Sequence, residues 1–283
     1  MKHVLGFSGG IDSQACARWL LNRFPAEDVI LLNSDAGGNE HPITTAFVEW
    51  YSANVHPVVK VQAIIADLGS CGSKAGATKE RRNEFAEDDV LTFDRLAYVK
   101  DIFPSRRKQF CTTHLKLWPQ HRWMKKNLAG VEWKRYSGVR REESMNRRGR
   151  QPSELDEFFG CPLELVIVDW TKQMCFDYVK YHGEQYNELY TLGFDRVGCA
   201  PCVNADKDSI LAWHQRFPEC LDKVRGWERK VGKTFFMPIV PGLEINWIDD
   251  VIKWAKTVHG GKQMGLHVLY ERPACESDYG LCE

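Results

Sequence analysis

Apolar positions along the first two-thirds of the chain switch repeatedly between short continuous runs and helical spacing. Val4, Leu5 and Phe7 form a β-like run that stops at Ser8-Gly9-Gly10, and Ile11, Ala15, Trp19 and Leu20 then recur at the period of a helix. A second run, Val29-Ile30-Leu31-Leu32, is unbroken and ends in Asn33-Ser34-Asp35 before Gly37-Gly38, the pattern of a strand buried on both faces. A helix over about 43–53 and a strand over 58–63 continue the alternation. Residues 67–89, rich in Gly, Ser, Lys and Glu, read as a mobile loop with one short helix. Beyond it the pattern predicts a helix ending near Leu128, a strand over 131–136, a strand over 163–170 and a helix from Thr171 to about Tyr181. From Asp206 onward Trp213, Phe217, Trp227, Trp247 and Trp254 mark helices with aromatic faces. Strand-helix-strand units of this length imply right-handed crossovers, so the expected fold is α/β, a parallel sheet with helices on both faces. The expected domains are 1–204, and 205–283 as a helical C-terminal lobe with a cysteine-containing tail.

The first turn carries the most chemistry. Gly9 and Gly10 let the backbone bend and approach a ligand, and the N–H groups opening the following helix favour an anion. Ser8 and Ser13 add hydroxyl donors. Asp12 repels a bare phosphate, so its presence points to a Mg²⁺ ion between the two. The stretch has neither the Walker pattern nor Gly-x-Gly-x-x-Gly. Asp35 ends the neighbouring strand, and its expected place is beside this loop, since ligands gather at the carboxyl ends of parallel strands.

Charge changes the picture little: 38 basic residues balance 38 acidic ones, so any nucleic acid must be met through a local basic patch. No run approaches the roughly 20 apolar residues that span a bilayer, and no signal-type segment opens the chain. The expectation is a cytoplasmic protein without a membrane partner. Ten cysteines then suggest metal ligands or reactive thiols instead of disulfides. Cys199-Ala200-Pro201-Cys202 is a strong metal or redox signal, but two thiolates leave a site open. Cys16, Cys71, Cys161, Cys175 and Cys220 read as packing residues or bystanders. The run Arg140-Arg141 with Arg147, Arg148 and Arg150 reads either as salt bridges to Glu142 and Glu143 or as an oxyanion site.

The opening loop resembles the pyrophosphate loop of the adenine nucleotide α-hydrolase superfamily. Several ordered segments over about 3–204 resemble the phosphoadenosine phosphosulfate reductase family. They are Leu32-Asn33-Ser34-Asp35-Ala36-Gly37 with Pro42 and Thr44, Cys111 with Lys116 and Pro119, Gly138-Val139-Arg140-Arg141-Glu142-Glu143-Ser144, and Asp169-Trp170-Thr171. Asn187, Leu189-Tyr190, Gly193 and Gly198-Cys199-Ala200-Pro201-Cys202 complete the series. Two departures stand out. Thr112 replaces the second cysteine of the tandem pair in the iron–sulfur reductases, as in the branch typified by the DNA phosphorothioation enzymes. The chain ends Gly280-Leu281-Cys282-Glu283, where the reductases carry Cys-Gly-Leu-His.

The resemblance implies a bound adenine nucleotide (adenylyl sulfate, phosphoadenylyl sulfate or ATP) held by Ser8, Gly9, Gly10, Asp12 and Ser13, with Asp35 near its sugar or base. It implies a [4Fe–4S] cluster, with zinc as the alternative, on Cys111, Cys199 and Cys202, and the tail offers Cys275 as the fourth ligand. Lys116, Arg140 and Arg141 would neutralise the reacting anion, and Cys282 is either the attacking thiol or a ligand in place of Cys275. The function so implied is redox sulfur chemistry, by sulfonucleotide reduction or a related sulfur transfer. A partner supplying thiol, electrons or sulfur and a homo-oligomer are compatible with it. The rivals are an ATP pyrophosphatase-type sulfurtransferase, acting on a nucleic acid or another acceptor, and a non-catalytic nucleotide-binding metal protein.

Overall fold

The structure is a computed structural model that describes residues 1–69, 76–239, 242 and 246–257. Its strands are β1 (Lys2–Gly6), β2 (Val29–Ser34), β3 (Val58–Val61), β4 (Trp133–Tyr136), β5 (Ser153–Asp156) and β6 (Cys161–Glu164). They form one sheet in the order β3-β2-β1-β4-β6-β5, parallel throughout except for β5 against β6. The chain steps outward from β1 to β3 and then returns to the other side of β1 as β4. The carboxyl ends of β1 and β4 therefore frame a switch point, the place where open α/β sheets bind ligands.

Strand pleating explains why both faces are covered. Leu5, Phe7 and Leu31 point to one face, where they pack with α1 (Ile11–Leu21), α2 (Pro42–Asn54) and α6 (Lys172–Tyr181). Val4 and Leu32 point to the other, against Met124 of α5 (Trp118–Asn127) and Leu128. Residue chemistry sets several helix starts. Pro42 opens α2, and the Thr171 hydroxyl caps α6 by accepting from Met174 N–H at 3.1 Å. The loop-rich interval contains α3 (Gly76–Arg82) and leads to α4 (Phe93–Lys100).

The strand expected over 163–170 is shorter than its apolar run. β6 ends at Glu164, and Leu165, Ile167 and Val168 are buried in a turn closed by Val168 N–H to Leu165 C=O at 3.1 Å. Burial alone made those residues look like strand. β5 escaped the pattern for the converse reason: it is an edge strand whose one large apolar residue, Leu155, is exposed.

The last described helices are α7 (Lys207–Arg216), α8 (Pro218–Val231) and α9 (Ile248–Ala255). Leu221, Val224, Val251 and Ile252 share one apolar core with Phe93, Leu96 and Val99 of α4, and with Leu189, Val197 and Ala200. The segment joining α8 to α9 is held by a buried carboxylate. Glu228 accepts from Phe235 N–H at 2.8 Å and from Ile248 N–H at 3.0 Å. Burial raises its pKa, and the two amide bonds oppose the rise. Among the described residues no helix is long and apolar enough to cross a membrane.

Glu228→Ala leaves two buried amides without an acceptor. The expected loss of unfolding free energy in urea is about 2–4 kcal/mol. Glu228→Gln keeps an acceptor for one of the two amides and turns an NH2 toward the other, so it is expected to lose less than Glu228→Ala but at least half as much. Equal losses for the two variants would show that the amide bonds are not what holds this segment.

Candidate functional site

The turn after β1 folds back on its own hydroxyls. Gly9 has φ +82°, and a Cβ there would lie 3.0 Å from the Val48 side chain, so only glycine fits without displacing α2. Ser13 Oγ donates to Gly10 C=O at 2.9 Å and accepts from Ser8 Oγ at 3.1 Å, while Gly10 N–H donates to Ser8 Oγ at 3.3 Å. The first amide of α1, Ile11 N–H, donates to the Tyr190 hydroxyl at 3.0 Å. A side-chain oxygen thus sits where an incoming anion would take the helix N-terminus.

The segment after β4 meets this turn without a gap. A Cβ on Gly138 would be 2.9 Å from the carbonyl of Asp12, so its absence lets the two backbones touch. Two residues on, Arg140 Nε donates to Asp12 Oδ2 at 2.5 Å, and its Nη1 donates to Glu142 Oε2 at 2.7 Å. Asp12 and Arg140 are both buried. From this ion pair opens a cleft of about 390 Å³. Ile11, Asp12 and Arg140 form one end, and Tyr190, Lys172 and Arg196 line its length. Glu142 also accepts from Lys172 N–H at 2.7 Å, and Arg196 donates to Glu143 at 2.8 Å. Cys199, Cys202 and Asn204 line the cleft as well.

Cys199 and Cys202 also open on a second, smaller cavity of about 20 Å³, which they share with Cys111 and Lys116. A strap holds the cysteine loop against the segment after β2. Ala200 N–H donates to Asn39 C=O at 2.7 Å, His41 N–H to Gly198 C=O at 3.3 Å, and Asn39 Nδ2 to Pro201 C=O at 3.1 Å. Glu40 forms an isolated antiparallel bridge with Cys199. Lys116 is buried in a π-helical turn, Thr112–Leu117, whose Lys116 C=O accepts from Ser34 Oγ at 3.0 Å.

Three thiols around one cavity are a donor set that suits zinc or an iron–sulfur centre. A tetrahedral zinc holds sulfurs about 3.8 Å apart. Among the described residues, the trio of ligating atoms within 4.8 Å of one another belongs to His41, Glu219 and Cys220, not to the three cysteines. The trio itself makes a poor ion site. His41 Nδ1 accepts from Ile43 N–H at 3.2 Å, which leaves the proton of the neutral ring on Nε2, and burial pushes the Cys220 thiol up to about 11. The His41 ring packs 4.3 Å from that of Phe217, a core contact.

Of the residues singled out in the sequence, Asp12 and Arg140 meet at the cleft, and Cys111, Cys199, Cys202 and Lys116 meet at the small cavity. Ser8, Gly9, Gly10 and Ser13 are buried behind the cleft wall. Asp35 accepts from Gly38 N–H at 3.0 Å. Arg141 turns away from the cleft toward Asp169 and the Arg150 carbonyl. Cys275 and Cys282 lie outside the described residues. Lys172, Arg196, Asn39 and Asn204 were not singled out in the sequence. They come from separate segments with no shared spacing, and only Asn204, two residues past Cys202, carried a local hint.

The family model of the phosphoadenosine phosphosulfate reductase domain matches residues 2–205. The chain belongs to the phosphoadenosine phosphosulfate reductase family. An uncharacterized 37.8 kDa protein of Escherichia phage 186 is 27% identical over 99% of this chain and 96% of its own length. The adenosine 5′-phosphosulfate reductase of Geobacillus thermodenitrificans is 31% identical over 40% of this chain and 56% of that enzyme. The enzyme of the same name from Allochromatium vinosum is 32% identical over 37% of this chain and 38% of its length. The match thus spans about half or less of each of these two reductases. A phosphoadenylyl-sulfate reductase of Candida auris superposes with a TM-score of 0.46 at 16% identity, over 70% of this chain and 81% of that one.

Glu40 makes the strap sensitive to pH. Burial pushes its carboxyl from near 4.5 up to about 7, with Lys116 opposing the rise and Asp35 adding to it. The folded state therefore holds a proton that the unfolded chain has released. The resulting stability is complete below about pH 4.5 and is lost as pH rises through about 7. In the metal-free protein, Glu40→Gln is expected to abolish this decline across that window when unfolding is followed at fixed pH. A decline as steep in the variant as in the native chain would place the titrating group elsewhere.

Proposed function

We propose that the cleft seats an adenine nucleotide, phosphates toward Asp12 and Arg140, and that the chain carries out redox sulfur chemistry beside its cysteines. One observation carries the reading: Cys199 and Cys202 line both the cleft that starts at the nucleotide loop and the small cavity they share with Cys111. In this proposal Cys111, Cys199 and Cys202 hold a [4Fe–4S] cluster, with zinc as the alternative, and Cys275 supplies the fourth thiolate. When bound, such a cluster would supply a site of electron transfer beside the cleft. For the phosphates to reach the turn, Ile11 N–H and Gly10 N–H exchange their hydroxyl partners for phosphate oxygens. Arg140 then neutralises the anion while keeping Asp12 oriented.

In the reductive version, the Cys282 thiolate attacks the sulfur of the activated sulfate. A sulfur–sulfur bond forms, the sulfur–oxygen bond to the nucleotide breaks, and the nucleoside phosphate leaves with the electron pair. A second thiol, supplied by a donor, then displaces sulfite and leaves a disulfide. A second reading is favoured by the cleft wall itself. Asp12, Glu142, Glu143, Asp195 and Asp206 outnumber Arg140, Lys172 and Arg196 there. A wall with excess carboxylate suits a polyphosphate that arrives with Mg²⁺, and thus an ATP-consuming sulfur transfer.

The test uses protein purified without oxygen. Iron and acid-labile sulfide are expected in the native chain and absent from Cys199→Ser and Cys202→Ser. Calorimetric binding of adenosine 5′-phosphosulfate without Mg²⁺ supports reduction, and binding of ATP only with Mg²⁺ supports transfer. Failure of both nucleotides to bind in either condition contradicts the proposal.

A further inference from the structure

Each of the three cysteines at the small cavity has a side-chain amide beside it. Gln109 stands two residues before Cys111, and Asn204 two residues after Cys202, with its own N–H donating to Cys202 Sγ at 3.5 Å. Asn39 bonds the two residues that follow Cys199, its C=O accepting from Ala200 N–H at 2.7 Å and its Nδ2 donating to Pro201 C=O. All three amides line the cavity with the cysteines. All three also keep a buried carbonyl oxygen without a hydrogen-bond partner: Asn39 Oδ1, Gln109 Oε1 and Asn204 Oδ1. A buried acceptor in that state is costly, and native interiors rarely leave one without a reason. Convergence of three on one small cavity is not what packing alone produces. The nitrogen ends of two are anchored, Asn39 Nδ2 on Pro201 C=O at 3.1 Å and Gln109 Nε2 on Arg106 C=O at 3.3 Å.

We infer that Asn39, Gln109 and Asn204 form a polar collar that positions Cys111, Cys199 and Cys202 and shapes the electronic environment of the metal they hold. The inference rests on the cysteine-centre reading above. Amide oxygens accept from protonated thiols; with their nitrogens anchored, Asn39 and Gln109 hold their oxygens toward the cavity, while Asn204 can turn to present N–H to a thiolate. Groups behind the ligands act on a metal centre by fixing ligand orientation and by hydrogen-bonding to sulfur. These are positioning residues, since they act through the cysteines.

The variants Asn204→Leu and Gln109→Met keep the length of the side chain and delete the amide. Co²⁺ is the probe, titrated into the metal-free chain and followed by its thiolate charge-transfer band. Each variant is expected to bind Co²⁺ at least tenfold more weakly and to shift the band, with no fall in thermal midpoint, because a partnerless buried acceptor has been removed. In the metal-free chain, alkylation of the three cysteines by iodoacetamide, resolved by mass spectrometry, is expected to rise at least threefold. Native Co²⁺ affinity, band position and alkylation rates in both variants would overturn the collar. If the native chain binds no Co²⁺ but the alkylation difference is present, the metal reading fails and the collar stands.

Discussion

The buried pair between Asp12 and Arg140 is the constraint on which the site depends. It joins the first turn of α1 to the segment after β4, across the switch point of the sheet. Removing one partner would strand the other charge in the interior, a loss of about 3–5 kcal/mol. The pair forms only because Gly138 brings the two backbones into contact. It also determines what the cleft can be. The nucleotide loop keeps its acid, the acid keeps its arginine, and Glu142 extends the network to the start of α6 through Lys172 N–H. Asp12, Arg140, Glu142 and the start of α6 thus form one connected network along the cleft wall.

The cysteine loop is tied to the same framework from the opposite side. Asn39, Glu40 and His41 follow the carboxyl end of β2, and they pair with the segment Gly198 to Pro201. The turn that carries Asp35 and the loop that carries Cys199 are therefore bonded to one another. The helices α4 and α7 to α9 supply the apolar backing, with Ala200 packed in their shared core. Two chemically different regions, one suited to phosphates and one to sulfur, are in this way held at a fixed spacing along one cleft.

Much of this was legible in the sequence because local chemistry dictated it. The glycine turn between β1 and α1, the continuous run of β2, Thr171 as the cap of α6 and the pair Cys199 and Cys202 each announce themselves within a few residues. Features made by tertiary contact were not legible. Arg140 and Arg141 were alike in the sequence as candidate anion partners, and only the fold separates them, with Arg140 on Asp12 and Arg141 on Asp169. Leu165 to Val168 read as strand because a buried turn and a buried strand carry the same apolar run, and β5 was silent because its pairing needs no apolar face. The three amides around the cysteines share no spacing, so only the fold assembles them.

The central claim is that the nucleotide loop and the cysteine pair face one cleft. Its most direct test is protection. Native protein is incubated with saturating adenosine 5′-phosphosulfate or Mg²⁺-ATP, and alkylation of Cys199 and Cys202 is timed in the metal-free chain. The account predicts that one of these nucleotides slows alkylation of both cysteines at least fivefold, with exposed thiol controls unaffected. Unchanged rates under nucleotide concentrations that calorimetry shows to be saturating would contradict it.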